Sequence, residues 1–124
     1  MLKNSFLLML SLSLSACTTM QVQHAISSNN WQAVGQYDGE NGLNEKTLSA
    51  LQKLSDKFAS GTVDYESYQG SYEKALSLYC QPNNAYIYGV KRQPYPYACN
   101  RYSHGWAFYQ DWLSGRHSQA ASIF

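Results

Sequence analysis

The chain has 124 residues, with 9 Lys+Arg against 8 Asp+Glu for a formal charge of +1, and is 44% hydrophobic and 15% aromatic with eleven tyrosines. That length suits one small domain, and the apolar share supports a core and excludes a compositionally disordered chain. Near-neutrality, with no basic cluster larger than Lys91-Arg92, excludes the clustered basic stripe expected of a nucleic-acid binder.

The N-terminal run is basic at Lys3, apolar from Phe6 through Leu14, and closes on Leu14-Ser15-Ala16-Cys17. A positive start, a short apolar stretch and small residues at the cut make a secretory signal, and a cysteine directly after the small residues supplies a thiol for acylation. Residues 1–16 therefore read as a lipoprotein signal peptide and Cys17 as the lipidated first residue of the mature protein. The plainer alternatives are an ordinary cleaved signal and a spanning helix; the stretch is interrupted by serines and falls short of the roughly 20 apolar residues that spanning requires. A diacylglyceryl thioether plus an acylated amine supplies the second hydrophobic signal that stable anchoring needs. Thr18 stands where aspartate would be the cue for inner-membrane retention, so the expected location is the outer membrane, facing the periplasm.

Removing residues 1–16, whose only charge is Lys3, leaves 108 residues with 8 Lys+Arg against 8 Asp+Glu. Residues 17–28 are polar and without periodicity and read as a flexible tether; its eleven residues after Cys17 reach about 35 to 40 Å if extended. The helical domain is placed at 29–118. Asn30 is a candidate N-cap for a helix opening at Trp31, in a segment rich in glycine. Gly35 and Gly39 share one helical face, and since each interior glycine costs about 1 kcal/mol against alanine, the expected compensation is close backbone approach of another helix, with the last helix and its Trp106 and Tyr109 as the expected partner. The alternative is a frayed helix followed by a turn at Asp38-Gly39.

From Glu45 to Ala59, Leu48, Leu51, Leu54 and Phe58 fall at helical spacing with charged residues between them, predicting an amphipathic helix that ends before Gly61. Asp64 is the candidate N-cap of the next helix, where Tyr65, Tyr68, Tyr72, Leu76 and Tyr79 recur at intervals of three or four. Gln81-Pro82-Asn83-Asn84 reads as a break, Ala85 to Val90 as a short helix, and Pro94-Tyr95-Pro96 as a rigid extended turn. In the last helix Tyr102, Trp106, Tyr109 and Leu113 form the expected stripe, with Phe108 and Trp112 beside it and an end near Gly115. Residues 119–124 read as a C-terminal tail. The fold class this predicts is all-α: a small antiparallel bundle of four to five short helices.

Of the three cysteines, Cys17 is assigned to lipid, which leaves Cys80 and Cys99 in an oxidising compartment where thiols pair. A disulfide between them closes a loop of about twenty residues, worth about 3 kcal/mol in the chain-entropy model. Two free thiols, a metal site or a redox pair are the alternatives. Zinc needs closely spaced ligands, whereas His24, His104 and His117 are scattered and no Cys-x-x-Cys is present.

Trp31, Gly35, Asp38-Gly39 and Gly42, then Tyr68, Leu76 and Tyr79-Cys80, then Tyr86, Gly89 and Cys99 with the aromatic helix after it, together resemble an uncharacterised family of small Gram-negative lipoproteins, domain of unknown function 2799. The resemblance covers roughly Trp31 to Gly115 and rests on the ordered combination. It implies a helical lipoprotein domain with two disulfide-linked cysteines and implies no activity. Ser71, Ala75, Ala85 and Arg92 stand where that pattern leads one to expect glycine, so relaxed helix contacts are expected there.

Catalysis has no constellation behind it. Gly-x-Ser-x-Gly, His-Glu-x-x-His and a phosphate-cradling glycine loop are all missing from the sequence. His104 lies seven residues from Asp111, and Asp38, Glu40, Glu66 and Asp111 would have to meet in a cleft. Asp38 is the acid of most interest, with a role in capping the helix or holding the glycine turn as the plain expectation. No cofactor and no metal are implied. The expected function is a lipid-anchored interaction or scaffold module for an envelope protein partner, with exposed tyrosines and tryptophans as anchors. The alternative is a module binding a glycan, peptidoglycan fragment or lipid in an aromatic groove.

Overall fold

The computed structural model describes residues 20–58 and 61–123; the expected signal peptide at 1–16, Cys17 and the first residues of the expected tether lie outside them. Helices make up all of the regular structure among the described residues. Residues 20–27 form α1, followed by α2 (Trp31–Glu40), α3 (Leu48–Phe58), α4 (Tyr65–Tyr79), α5 (Ala85–Val90) and α6 (Gly105–Arg116), with 3-10 turns at Pro82–Asn84, Tyr97–Arg101 and Gln119–Ile123.

Local chemistry sets the boundaries. Asn30 Oδ1 accepts from the Ala33 N–H at 3.1 Å and opens α2, and Asp64 Oδ1 accepts from the Ser67 N–H at 3.1 Å and opens α4. These are N-caps that satisfy donors left free in a first turn. The Ser67 hydroxyl and N–H also hold the Asp64 carboxyl below its ordinary range. Gly42 ends the α2 turn in the left-handed region at φ 63°, which glycine adopts without a Cβ penalty.

Two helix pairs make the closest backbone approaches, α2 with α4 and α5 with α6. Gly35 and Gly39 do line a tight contact, but their partner is α4 and not the last helix. A Cβ on Gly35 would land on the Tyr68 carbonyl oxygen and the Ser71 hydroxyl, and one on Gly39 would lie 2.5 Å from the Tyr72 carbonyl oxygen and 2.8 Å from the Ala75 methyl. The register, 35 against 68–71 and 39 against 72–76, makes this pair parallel: α3 and its two loops carry the chain back before α4 begins. Ser71 and Ala75 thus sit opposite the glycines, and the contact is not relaxed by their side chains. Arg92 takes φ 56° after α5, a left-handed position that glycine fills at least cost.

Gly89 and Gly115 make the second pair in the same way, each meeting backbone of the other helix, Trp112 and Arg116 in one case and Tyr86 and Val90 in the other. These glycines turn the face of α6. Its buried side is Gly105, Phe108, Trp112 and Gly115, whereas Trp106, expected on the stripe, is 76% exposed. The core runs from Ile26, Trp31 and Val34 through Leu51, Tyr68, Tyr72 and Leu76 to Phe108 and Trp112. Cys80 and Cys99 are bonded across it, with their Cα atoms 5.4 Å apart, which ties the end of α4 to the segment before α6.

Parts of two segments expected to lie outside the domain, residues 20–28 and 119–123, belong to it. The expected tether is helical from residue 20, because Val22, Ala25 and Ile26 share a face and Ile26 is buried in the core. In the expected tail, Gln119–Ile123 form the last 3-10 turn, where Ala121 is buried and its carbonyl accepts from Arg92 Nε at 2.8 Å.

Candidate functional site

Asp38, near the end of α2, is buried. Its Oδ2 is 2.6 Å from Lys46 Nζ and accepts the Tyr68 hydroxyl at 2.7 Å. Its backbone carbonyl, rather than its carboxylate, holds the glycine turn by accepting from the Leu43 N–H at 2.9 Å. The carboxylate instead fastens the following loop. Tyr68 Oη accepts from the Lys46 N–H at 2.9 Å, Tyr72 donates to the Leu43 carbonyl at 2.6 Å and Tyr65 to the Lys46 carbonyl at 3.4 Å. Three tyrosines at positions i, i+3 and i+7 of one helix therefore clamp residues 43–46 by their hydroxyls while their rings fill or flank the core. Glu45 extends the clamp to Arg101, at 3.3 Å, whose guanidinium lies 5.2 Å from the Tyr72 ring centre.

Burial pushes the Tyr68 hydroxyl well above the ordinary phenol range and raises that of Tyr72 in the same direction. Both stay protonated and act as fixed donors. Asp38 Oδ2 is thus shared by an ammonium and a phenol, which fastens the loop after α2 to α4. The other acids are not gathered with it: Glu40, Glu66 and Asp111 are exposed. His104 meets the Cys80 carbonyl through Nε2 at 2.8 Å and stacks on Tyr102, away from any pairing with Asp111. Among the described residues no group of three or more His, Cys, Asp or Glu side chains is placed to hold a metal ion.

Trp31 is buried at the head of α2 with its indole N–H unpartnered among the described residues, so it is a packing residue. Gly35 and Gly39 serve the α4 contact, and Gly42 the turn against the Tyr79 ring. The residue that sequence spacing did not single out is Lys46. Its position on the polar side of the α3 segment reads as solvated, and only the fold brings it to Asp38.

A second constellation lies on the surface. Tyr95 is buried at the centre of a ring cluster, edge-on to Tyr97 at 5.1 Å and to Tyr109 at 4.9 Å. Around it the rings turn outward: Tyr97 is 71% exposed, Tyr109 is partly exposed, and Trp106 lies one turn before Tyr109 on α6. Beside Tyr97, a groove of about 460 Å³ runs between the loop after α2 and the Pro94–Tyr97 segment, with Tyr79 in its wall.

The family model described as "Protein of unknown function (DUF2799)" matches residues 30–117. The chain belongs to that family. The matched span opens on the N-cap of α2 and closes at the end of α6, so it takes in the Asp38 clamp, both glycine pairs, the disulfide and the ring cluster around Tyr95. No curated protein and no solved structure matches the chain.

Proposed function

We propose that this member of the DUF2799 family is a noncatalytic interaction module, anchored by lipid at Cys17 to the outer membrane and facing the periplasm, and that a protein partner binds the ridge formed by Trp106 and Tyr109. The supporting observation is the 76% exposure of the Trp106 indole in a domain that buries Trp31, Trp112 and Phe108. Tryptophan and tyrosine are the residue types that dominate interface energetics, and their stiff rings lose little entropy on binding. The ridge also stands on a rigid base, since Tyr109 leans on the buried Tyr95 and is stacked 6.2 Å from Trp112.

A photo-activatable residue placed at 106 or 109 in intact cells tests the reading. Discrete adducts are expected from both positions and none from a control at Lys53 on α3. No adduct from either ridge position, or the same adducts from all three, contradicts it.

A further inference from the structure

The grooves on either side of α2 meet at its C-terminal end, at Glu40. Leu78 shares one groove with Glu40, Gln21 and Val22 share a second, and Leu43 and Tyr97 share a third. The first described residues of α1, the end of α2, the end of α4 and the Pro94–Tyr97 segment therefore lie at one end of the described molecule. That end carries Met20, Leu43, Leu78 and Tyr97, all large apolar or aromatic side chains left exposed. The charged side chains lining the three grooves are Glu40 and Lys74, with His24 beside them, so no basic cluster lines them.

We infer that this end of the domain docks on the bilayer surface itself, with Met20, Leu43, Leu78 and Tyr97 seated among the lipid headgroups. The inference rests on the proposed lipid at Cys17. Met20 is the first described residue and already lies in α1, and three Cα–Cα steps separate it from Cys17, a reach of at most about 11 Å whatever the conformation between them. A domain of this size has a radius of gyration of about 13 Å, so an anchor that short leaves it little freedom to turn another side to the membrane. The exposed groups suit that position. Aromatic side chains with a polar tip favour the membrane–water interface, apolar side chains gain by entering it, and Glu40 suits the ammonium groups of a zwitterionic lipid. With one carboxylate and one lysine lining these grooves, the docking proposed is by apolar insertion and does not require anionic lipid.

The test uses the full lipidated protein in phosphatidylethanolamine vesicles containing a minor share of phosphatidylglycerol. A polarity-sensitive fluorophore is attached to Leu43→Cys, Leu78→Cys and Tyr97→Cys variants, with Lys53→Cys as control. Lys53 shares a groove with Tyr65 at the opposite end of α4, roughly 20 Å along the helix from Leu78. All four positions are exposed, so the substitutions leave the core intact. Brominated lipid is expected to quench the label at 43, 78 and 97 and to leave the label at 53 unaffected. Mass spectrometry of the same samples reports whether Cys17 carries lipid. Lipidated protein whose labels at 43, 78 and 97 stay as bright as at 53, or are quenched no more than it, overturns the docking alone, and leaves that end to a protein partner. An unmodified Cys17 overturns the anchor on which the inference rests.

Discussion

Replacing Gly35 with alanine tests the α2–α4 contact where it is tightest. The added methyl would fall on the Tyr68 carbonyl oxygen and the Ser71 hydroxyl. The hydroxyl belongs to a short side chain, but the carbonyl is backbone in the first turn of α4, so no rotamer change relieves the overlap and the helices must separate. Overpacking of a well-packed contact costs about 1 to 3 kcal/mol, and a backbone obstacle puts this case at the upper end. The better helix propensity of alanine returns about 1 kcal/mol. The net loss is about 2 kcal/mol, which for a domain of this size lowers Tm by roughly 8 to 16 °C. Gly70 provides the internal control. It lies in α4 as well, but a Cβ there meets nothing within 4 Å, so Gly70→Ala should raise stability by up to about 1 kcal/mol through propensity alone. Thermal and urea unfolding followed by far-ultraviolet circular dichroism read both variants. If Gly35→Ala melts at or above the parent, the close approach of these helices is refuted, and with it the physical reason given for the glycine-rich α2.

The Asp38 clamp should be asymmetric. Lys46→Met leaves a carboxylate buried without its cation and should cost about 3 to 5 kcal/mol, whereas Asp38→Asn leaves a lysine that is already partly exposed and should cost less, about 1 to 3 kcal/mol; equal losses in urea titrations would contradict the burial of Asp38. Stability should also fall in alkali. Unfolded tyrosines ionise near pH 10, while Tyr68 is held neutral by burial, so unfolding releases a proton above that pH and stability drops by about 1.4 kcal/mol per pH unit for this residue alone. Its contribution is intact below pH 10, and Tyr68→Phe should lessen the alkaline slope in a stability–pH series. The disulfide, with both cysteines buried, should resist reductant in the native state, and once reduced in denaturant the domain should refold with about 3 kcal/mol less stability; two thiols labelled in unreduced, denatured protein would contradict the bond.

Much of the fold was legible because its signals are local. Asn30 and Asp64 announce helix starts through their side-chain chemistry, and the i, i+3, i+4 spacing of Leu51, Leu54, Tyr68, Tyr72 and Leu76 marks buried faces. The glycine spacing in α2 announces close approach but carries no information on the partner, so α4 and α6 were equivalent from the sequence. In α6, aromatic residues occur all round the helix, and spacing alone favoured Trp106 and Tyr109 as readily as Phe108 and Trp112; the choice is made by Gly115 against Tyr86 and Val90, a contact between segments far apart in sequence. Residues 20–27 offer two turns of periodicity, too little to separate a helix from a polar linker until Ile26 is seen in the core. The clamp was half legible. Asp38 stood out, whereas Lys46 and the hydroxyls of Tyr65, Tyr68 and Tyr72 acquire their roles only when the loop after α2 folds back over α4.

The proposed anchor is tested most directly by mass spectrometry of the native protein isolated from envelope membranes. The account predicts an N-terminal peptide that begins at Cys17 and carries a diacylglyceryl thioether and an acylated amine. Peptides that retain residues before Cys17, or a Cys17 of unmodified mass, would contradict it.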